Sequence, residues 1–132
     1  MLKSEEEVHP LTQAYIECSR LKAKVQELRV QYEMELARVE KQLSSIRRSL
    51  RAKYGEGYIT VKWVKGKAGK KYHYAIYRIV KPERKDVYLP REVLELVMKA
   101  RDLKKKVRNA RKAEWRISLF MKALDDYAPG RP

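Results

Sequence analysis

One cysteine, one phenylalanine and a single asparagine are all that 132 residues hold of those three types. With only Cys18, no intrachain disulfide can form, and the chain reads as intracellular, with a cytoplasmic placement. No run of about 18 apolar residues occurs, so no membrane span is expected. The opening MLKSEEEVHP is acidic and polar, unlike a secretory leader. Glycine and proline number five each, and neither falls within 11–54 or 91–127, so nothing there breaks a helix. Acids are also scarce, 17 against 32 Lys and Arg, which gives a net charge of +15 and a pI near 10.0. Such an excess favours polyanionic partners, because neutralising phosphates releases their counterions. The charged fraction of 37% with few amides fits a thermophilic, archaeal source, although long helices give the same bias in any organism.

What is there is periodic. Apolar or small residues recur at Leu11, Ala14, Cys18, Leu21, Val25, Leu28, Tyr32, Leu36, Val39, Leu43, Ile46 and Leu50. Their steps of three and four, with one stutter near Tyr32, describe a coiled-coil seam. A helix over 10–54 would be about 60 Å long, with Pro10 in its first turn and Tyr54-Gly55-Glu56-Gly57 as its stop. The rhythm returns over 90–127 at Val93, Leu96, Ala100, Leu103, Val107, Ala110, Glu114, Ile117, Met121 and Leu124. Glu114 is the lone charge there, and Ala113 is an alternative core position. Two long helices joined by a compact element should fold back on each other. Ile16, Val30, Met34, Trp115, Leu119 and Phe120 lie off the seam and imply a second interface, so a homo-oligomer, most simply a dimer, is expected.

Between the helices, GYITVKWVK (57–65) and KYHYAIYRIVK (71–81) are rich in β-branched and aromatic residues. A four-residue GKAG turn (66–69) pairs Lys65 with Lys70 and collects Trp63, Tyr72, Val61, Tyr74, Ile59 and Ile76 on one apolar face. The outward face then carries Tyr58, Thr60, Lys62, Val64, Lys71, His73, Ala75 and Tyr77. After PERK (82–85), DVYLP adds a third strand, with Arg78 a misfit on the apolar face. The expected fold is therefore α+β and mostly α: two long helices in an antiparallel coiled coil, joined by a three-stranded antiparallel β-meander over 57–89. It forms a single domain, with disorder at 1–9 and 128–132.

The basic residues cluster twice. Lys62, Lys65, Lys67, Lys70 and Lys71 crowd the hairpin, and Lys104, Lys105, Lys106, Arg108, Arg111 and Lys112 run along the second helix. Lysines hold phosphates while tyrosine rings stack on bases, so Tyr58, Lys62, His73 and Tyr77 are the expected base or sugar contacts. A helical charge run is more often a solvated face, which makes the second cluster a supporting one.

Other motifs fall short. GKAGKK (66–71) lacks the spacing, the Ser/Thr and the following helix of a phosphate loop. His9, His73 and one cysteine do not make a zinc site, and no Ser-His-Asp or Cys-His set is evident. No enzyme activity, cofactor, metal or small-molecule substrate is expected.

GKKYHYAIYRI (69–79) followed by DVYLPREVLELV (86–97) resembles a group of short prokaryotic proteins with a domain of unknown function, in which a Gly-then-aromatic hairpin leads to a Tyr-Leu-Pro segment and a helix. The resemblance covers about a third of the chain. It implies the meander between helices and no activity, although such proteins are often suspected of a role with DNA in mobile elements. Members with cysteines before the hairpin differ from this chain. The helix–hairpin–helix plan also looks like a prefoldin subunit, by architecture alone. The expected function is nucleic-acid binding of low sequence specificity, with duplex DNA favoured over RNA on the resemblance. The rival is a coiled-coil adaptor or prefoldin-like interaction protein.

Overall fold

The computed structural model describes residues 9–127. Helix α1 spans Pro10–Tyr54, strands β1, β2 and β3 span Glu56–Lys65, Lys71–Lys81 and Lys85–Tyr88, and helix α2 spans Arg91–Tyr127. The strands form one antiparallel sheet in the order β1-β2-β3. The predicted class therefore holds, with element boundaries within a residue or two. Pro10 opens α1 as expected, and the Nδ1 of His9 accepts the Leu11 amide at 3.1 Å, capping the first turn. His9 is thereby ordered; the other termini expected to be disordered lie outside the described residues. Gly55, at φ 101°, ends α1, and its N–H donates to the Arg51 carbonyl.

The chain divides into two compact units. One comprises 34–104 and holds the sheet. Its buried helical residues are Val39 and Leu43 from α1 and Val93, Ala100 and Leu103 from α2, all seam positions in the sequence. The sheet adds Ala75, Ile76, Tyr77 and Ile79. The other unit comprises 9–33 and 105–127 among the described residues.

In that second unit the seam departs from its apolar pattern. Leu21 and Leu28, expected inside, are 52% and 46% exposed, and the half-buried positions are Lys22 and Arg29 instead. At Arg29 a partner is in place, because Glu114 stays in the seam of α2. Its carboxylate accepts the Arg29 Nε at 2.7 Å, with 13% of the Glu114 side chain exposed. Arg29 also pairs with Glu33, which in turn accepts from Arg111 at 3.1 Å. Carboxylate hydrogen bonds push the Arg29 guanidinium further above its ordinary range, Glu114 contributing most. A charge at a seam position is tolerated when it is paired, and here an arginine rather than a leucine meets it, with Ala14, Cys18, Val25 and Tyr32 still half-buried as expected.

The hairpin register also departs, by one residue. Lys65 faces Lys71, Trp63 faces His73, Val61 faces Ala75 and Ile59 faces Tyr77. The loop is five residues long rather than four: Gly66 N–H donates to the Lys70 carbonyl at 2.6 Å around a tight turn at Lys67–Gly69. Ala68 and Gly69 take positive φ values of 63° and 74° to close it. The extra residue turns β2 over relative to β1. His73, Ala75 and Tyr77 join Ile59 and Val61, while Tyr72, Tyr74 and Ile76 join Tyr58, Thr60 and Lys62.

Tyr77 shows why this register is stable. Its side chain is fully buried, its ring lies 6.4 Å from that of Tyr54, and its hydroxyl donates to the Gly55 carbonyl at 2.6 Å. The ring covers Gly57: a Cβ there would stand 2.9 Å from Tyr77 and 2.3 Å from the Arg78 carbonyl oxygen. The strand thus needs a bare backbone where the tyrosine crosses it, beside the irregularity at Glu56/Gly57.

Two substitutions test this packing. Tyr77→Phe should cost about 1 kcal/mol through the lost hydrogen bond, and Gly57→Ala about 1–3 kcal/mol through overpacking. Urea unfolding followed by far-UV circular dichroism reads both. Glu114→Ala should lower the unfolding midpoint more than Leu28→Ala, since it removes the more buried of the two carboxylates that pair with Arg29, while Leu28 is already half exposed.

Candidate nucleic-acid interface

The hairpin tip holds Lys65, Lys67, Lys70 and Lys71, all exposed. Among the described residues none of the four makes an ion pair. Lys71 instead lies 5.5 Å over the Trp63 ring, which is 60% exposed. His73 meets the same ring edge-on at 3.7 Å. Four like charges on a short loop raise a local positive potential that no neighbouring acid cancels.

The outer sheet face is a patch of rings around a paired centre. Tyr58, Tyr72, Tyr74 and Tyr88 are each between 42% and 56% exposed. Tyr74 and Tyr88 pack edge to face at 5.6 Å. Between them, Asp86 accepts from Arg78 at 3.0 Å and from Lys62 at 3.4 Å. Lys62 stands opposite Tyr74 on β1, and Asp86 opposite Arg78 on β3, so their bridge crosses β2 at Ile76. That crossing accounts for full burial of an isoleucine on an outward face. The Arg78 hydrogen bond, helped by Lys62, holds the Asp86 carboxyl below the usual carboxylate range. Asp86, with a smaller contribution from Tyr58, holds the Arg78 guanidinium above its own. Arg78, a misfit on an apolar face in the sequence, is here on the outer face with an acid partner.

The predicted contacts therefore separate. Lys65, Lys67, Lys70 and Lys71 gather at the tip, with Tyr58 on the outer face. Lys62 shares that face but is committed to Asp86. Tyr77 is corrected: it is fully buried against Gly57 and Tyr54 and cannot contact a ligand. His73 is on the inner face, half-buried beside Trp63, because the five-residue loop moved it there. The sequence placed Tyr72 and Tyr74 in the core for the same reason in reverse; both are exposed. The signal that finds them is the length of the loop.

The second cluster also divides. Lys104 reaches Glu40 at 3.6 Å, Arg111 reaches Glu33 at 3.1 Å, and Lys106 lies 5.6 Å over the Tyr32 ring. Those three bind α1. Lys105, Arg108 and Lys112 lie three and four residues apart, share one face of α2 and are exposed.

No family model matches the chain, and no curated protein and no solved structure matches it. Among the described residues no helix is long and apolar enough to cross a membrane.

Glu33 and Asp86 both have depressed carboxyl pKa values in the folded state, each through a hydrogen bond from arginine. A depressed folded-state pKa contributes stability that is present above the unfolded value and is lost as pH falls through the folded one. The unfolding midpoint should therefore drop as pH is lowered from the usual carboxylate range. A Glu33→Gln, Asp86→Asn double variant should show a flatter pH dependence in thermal melts.

Proposed function

We propose that the protein binds nucleic acid with little sequence preference, in the cytoplasm, gripping the phosphate backbone with the hairpin tip. One observation carries this reading. The helical bases Lys99, Lys104 and Arg111 are matched to acids of α1, while Lys65, Lys67, Lys70 and Lys71 are exposed, beside exposed rings and without an ion pair among the described residues. Four lysines neutralise phosphates, and Trp63, Tyr72 and Tyr74 offer faces on which bases or sugars stack. In the other unit, Lys105, Arg108 and Lys112 form an exposed basic row on one face of α2, a second place where phosphates can be neutralised. DNA is favoured over RNA on the resemblance of residues 69–97. The phosphate contacts carry no base code, which gives the low specificity.

The second reading is a coiled-coil interaction protein. It is favoured by exposed apolar side chains in the 9–33 and 105–127 unit: Ile16 at 37%, Val30 at 47%, Leu119 at 48%, Phe120 at 55% and Trp115 at 64%. We take these as the place where a second copy of the chain docks, compatible with the nucleic-acid role.

Binding of fluorescent oligonucleotides over a salt series separates the two readings. Phosphate-driven affinity falls with salt with a slope of roughly −0.7 to −0.9 per contact, so four lysines predict about −3 to −4. A Lys65→Glu, Lys67→Glu, Lys70→Glu, Lys71→Glu variant should lose most of the affinity while its circular dichroism spectrum stays unchanged. Salt-independent binding, or none by folded protein at low salt, would favour the interaction-protein reading.

A further inference from the structure

Strand β3 covers only half of β2. It pairs Tyr88 through Lys85 with Ile76 through Ile79, and one further bond runs from the Leu89 N–H to the Ala75 carbonyl at 2.9 Å. Pro90 has no amide proton and α2 starts at Arg91, so the ladder stops there. In an antiparallel strand the N–H and C=O of one residue point to the same side, and the side alternates along the chain. Ala75 turns its carbonyl toward β3. Lys71 and His73 therefore turn their main-chain groups to that side as well, where no strand continues.

This open edge borders a cleft of about 540 Å³ lined by Lys71, Tyr72, His73, Tyr74 and Ala75 with Leu89, Arg91 and Leu94. The volume lies within the roughly 300–1,000 Å³ of small-ligand sites. Ala75, Leu89 and Leu94 make it apolar in part, and Lys71 and Arg91 supply two cations. No acid is among its lining residues. Arg91 has one ion pair, a 3.8 Å contact to Glu95 with both side chains more than two-thirds exposed, which leaves it free to turn to another anion.

We propose that this cleft receives an unstacked base of a single strand, whose flanking phosphates lie on Lys71 and Arg91. The proposal rests on the nucleic-acid reading and names the form bound. Free main-chain donors and acceptors can hydrogen-bond a base only when its pairing edge is open, and the rings that flank this edge, Tyr72 and Tyr74 on one face and His73 on the other, suit an unstacked base. A paired duplex offers neither. An extended peptide could also add to a bare strand edge. The two cations, and the unpaired lysines at the adjoining tip, favour the strand that carries phosphates.

The test compares four fluorescent probes: an oligothymidylate, an abasic phosphodiester strand and a duplex of equal length, and an extended acidic peptide. Wild type should bind the oligothymidylate at least tenfold more tightly than the abasic strand and more tightly than the duplex. Arg91→Ala, at a side chain already 86% exposed, should weaken oligothymidylate binding severalfold and duplex binding by less. His73→Ala should narrow the gap between the base-bearing and abasic strands. Equal affinity for those two strands would overturn the cleft while leaving the phosphate grip standing. Folded protein that binds no probe at low salt would overturn both. Binding of an extended acidic peptide that Arg91→Ala weakens, with oligothymidylate unaffected, would give the cleft to a peptide strand instead.

Discussion

The five-residue loop at 66–70 decides which side of β2 is inside. One residue fewer would put Tyr72, Tyr74 and Ile76 against Ile59 and Val61, and turn Tyr77 outward. With the loop as it is, Tyr77 is buried, bonds the carbonyl that follows α1 and crosses a glycine that cannot carry a side chain. The outer face then acquires its four exposed tyrosines, and the inner face leaves Trp63 and His73 uncovered toward the tip. The ring-rich face follows from that one choice of register, while the open edge beside α2 follows from Pro90 and the early start of α2.

Charge is distributed with a similar logic. Acids on α1 take up Lys99, Lys104 and Arg111, and Asp86 takes up Arg78 and Lys62. These exposed or half-exposed pairs contribute little each, but they set which bases remain free. The four lysines of the loop stay outside these pairs, close together in sequence and beside exposed rings. The Glu114–Arg29–Glu33 group is different in kind: it sits in the seam, and its main effect is on which face of α1 meets α2.

The helices were legible because their signal is long. Ten or more apolar positions at steps of three and four outvote any local exception, and Pro10 and Gly55 mark the ends of α1 plainly. The errors lie where a single residue decides. Leu21 and Leu28 look like seam residues until the partner of Glu114 is known, and no pattern on α1 alone names Arg29. The hairpin faces hang on whether GKAG or GKAGK makes the turn, and both β2 faces carry enough aromatic residues that composition does not choose between them. The lysines at the tip were found regardless, because a loop residue is exposed in either register. Arg91 was missed because it is distant in sequence from the hairpin and joins the cleft only through the path of β3 into α2.

The central claim is that the hairpin tip and the surfaces beside it hold nucleic acid. Photo-crosslinking of an iodouracil-bearing single strand, with the adducts mapped by mass spectrometry, tests it most directly. Adducts should form on Trp63, Tyr72 and Tyr74, and none on the buried Tyr77. Adducts confined to α1 and α2, or their absence from a folded protein that retains the strand, would contradict it.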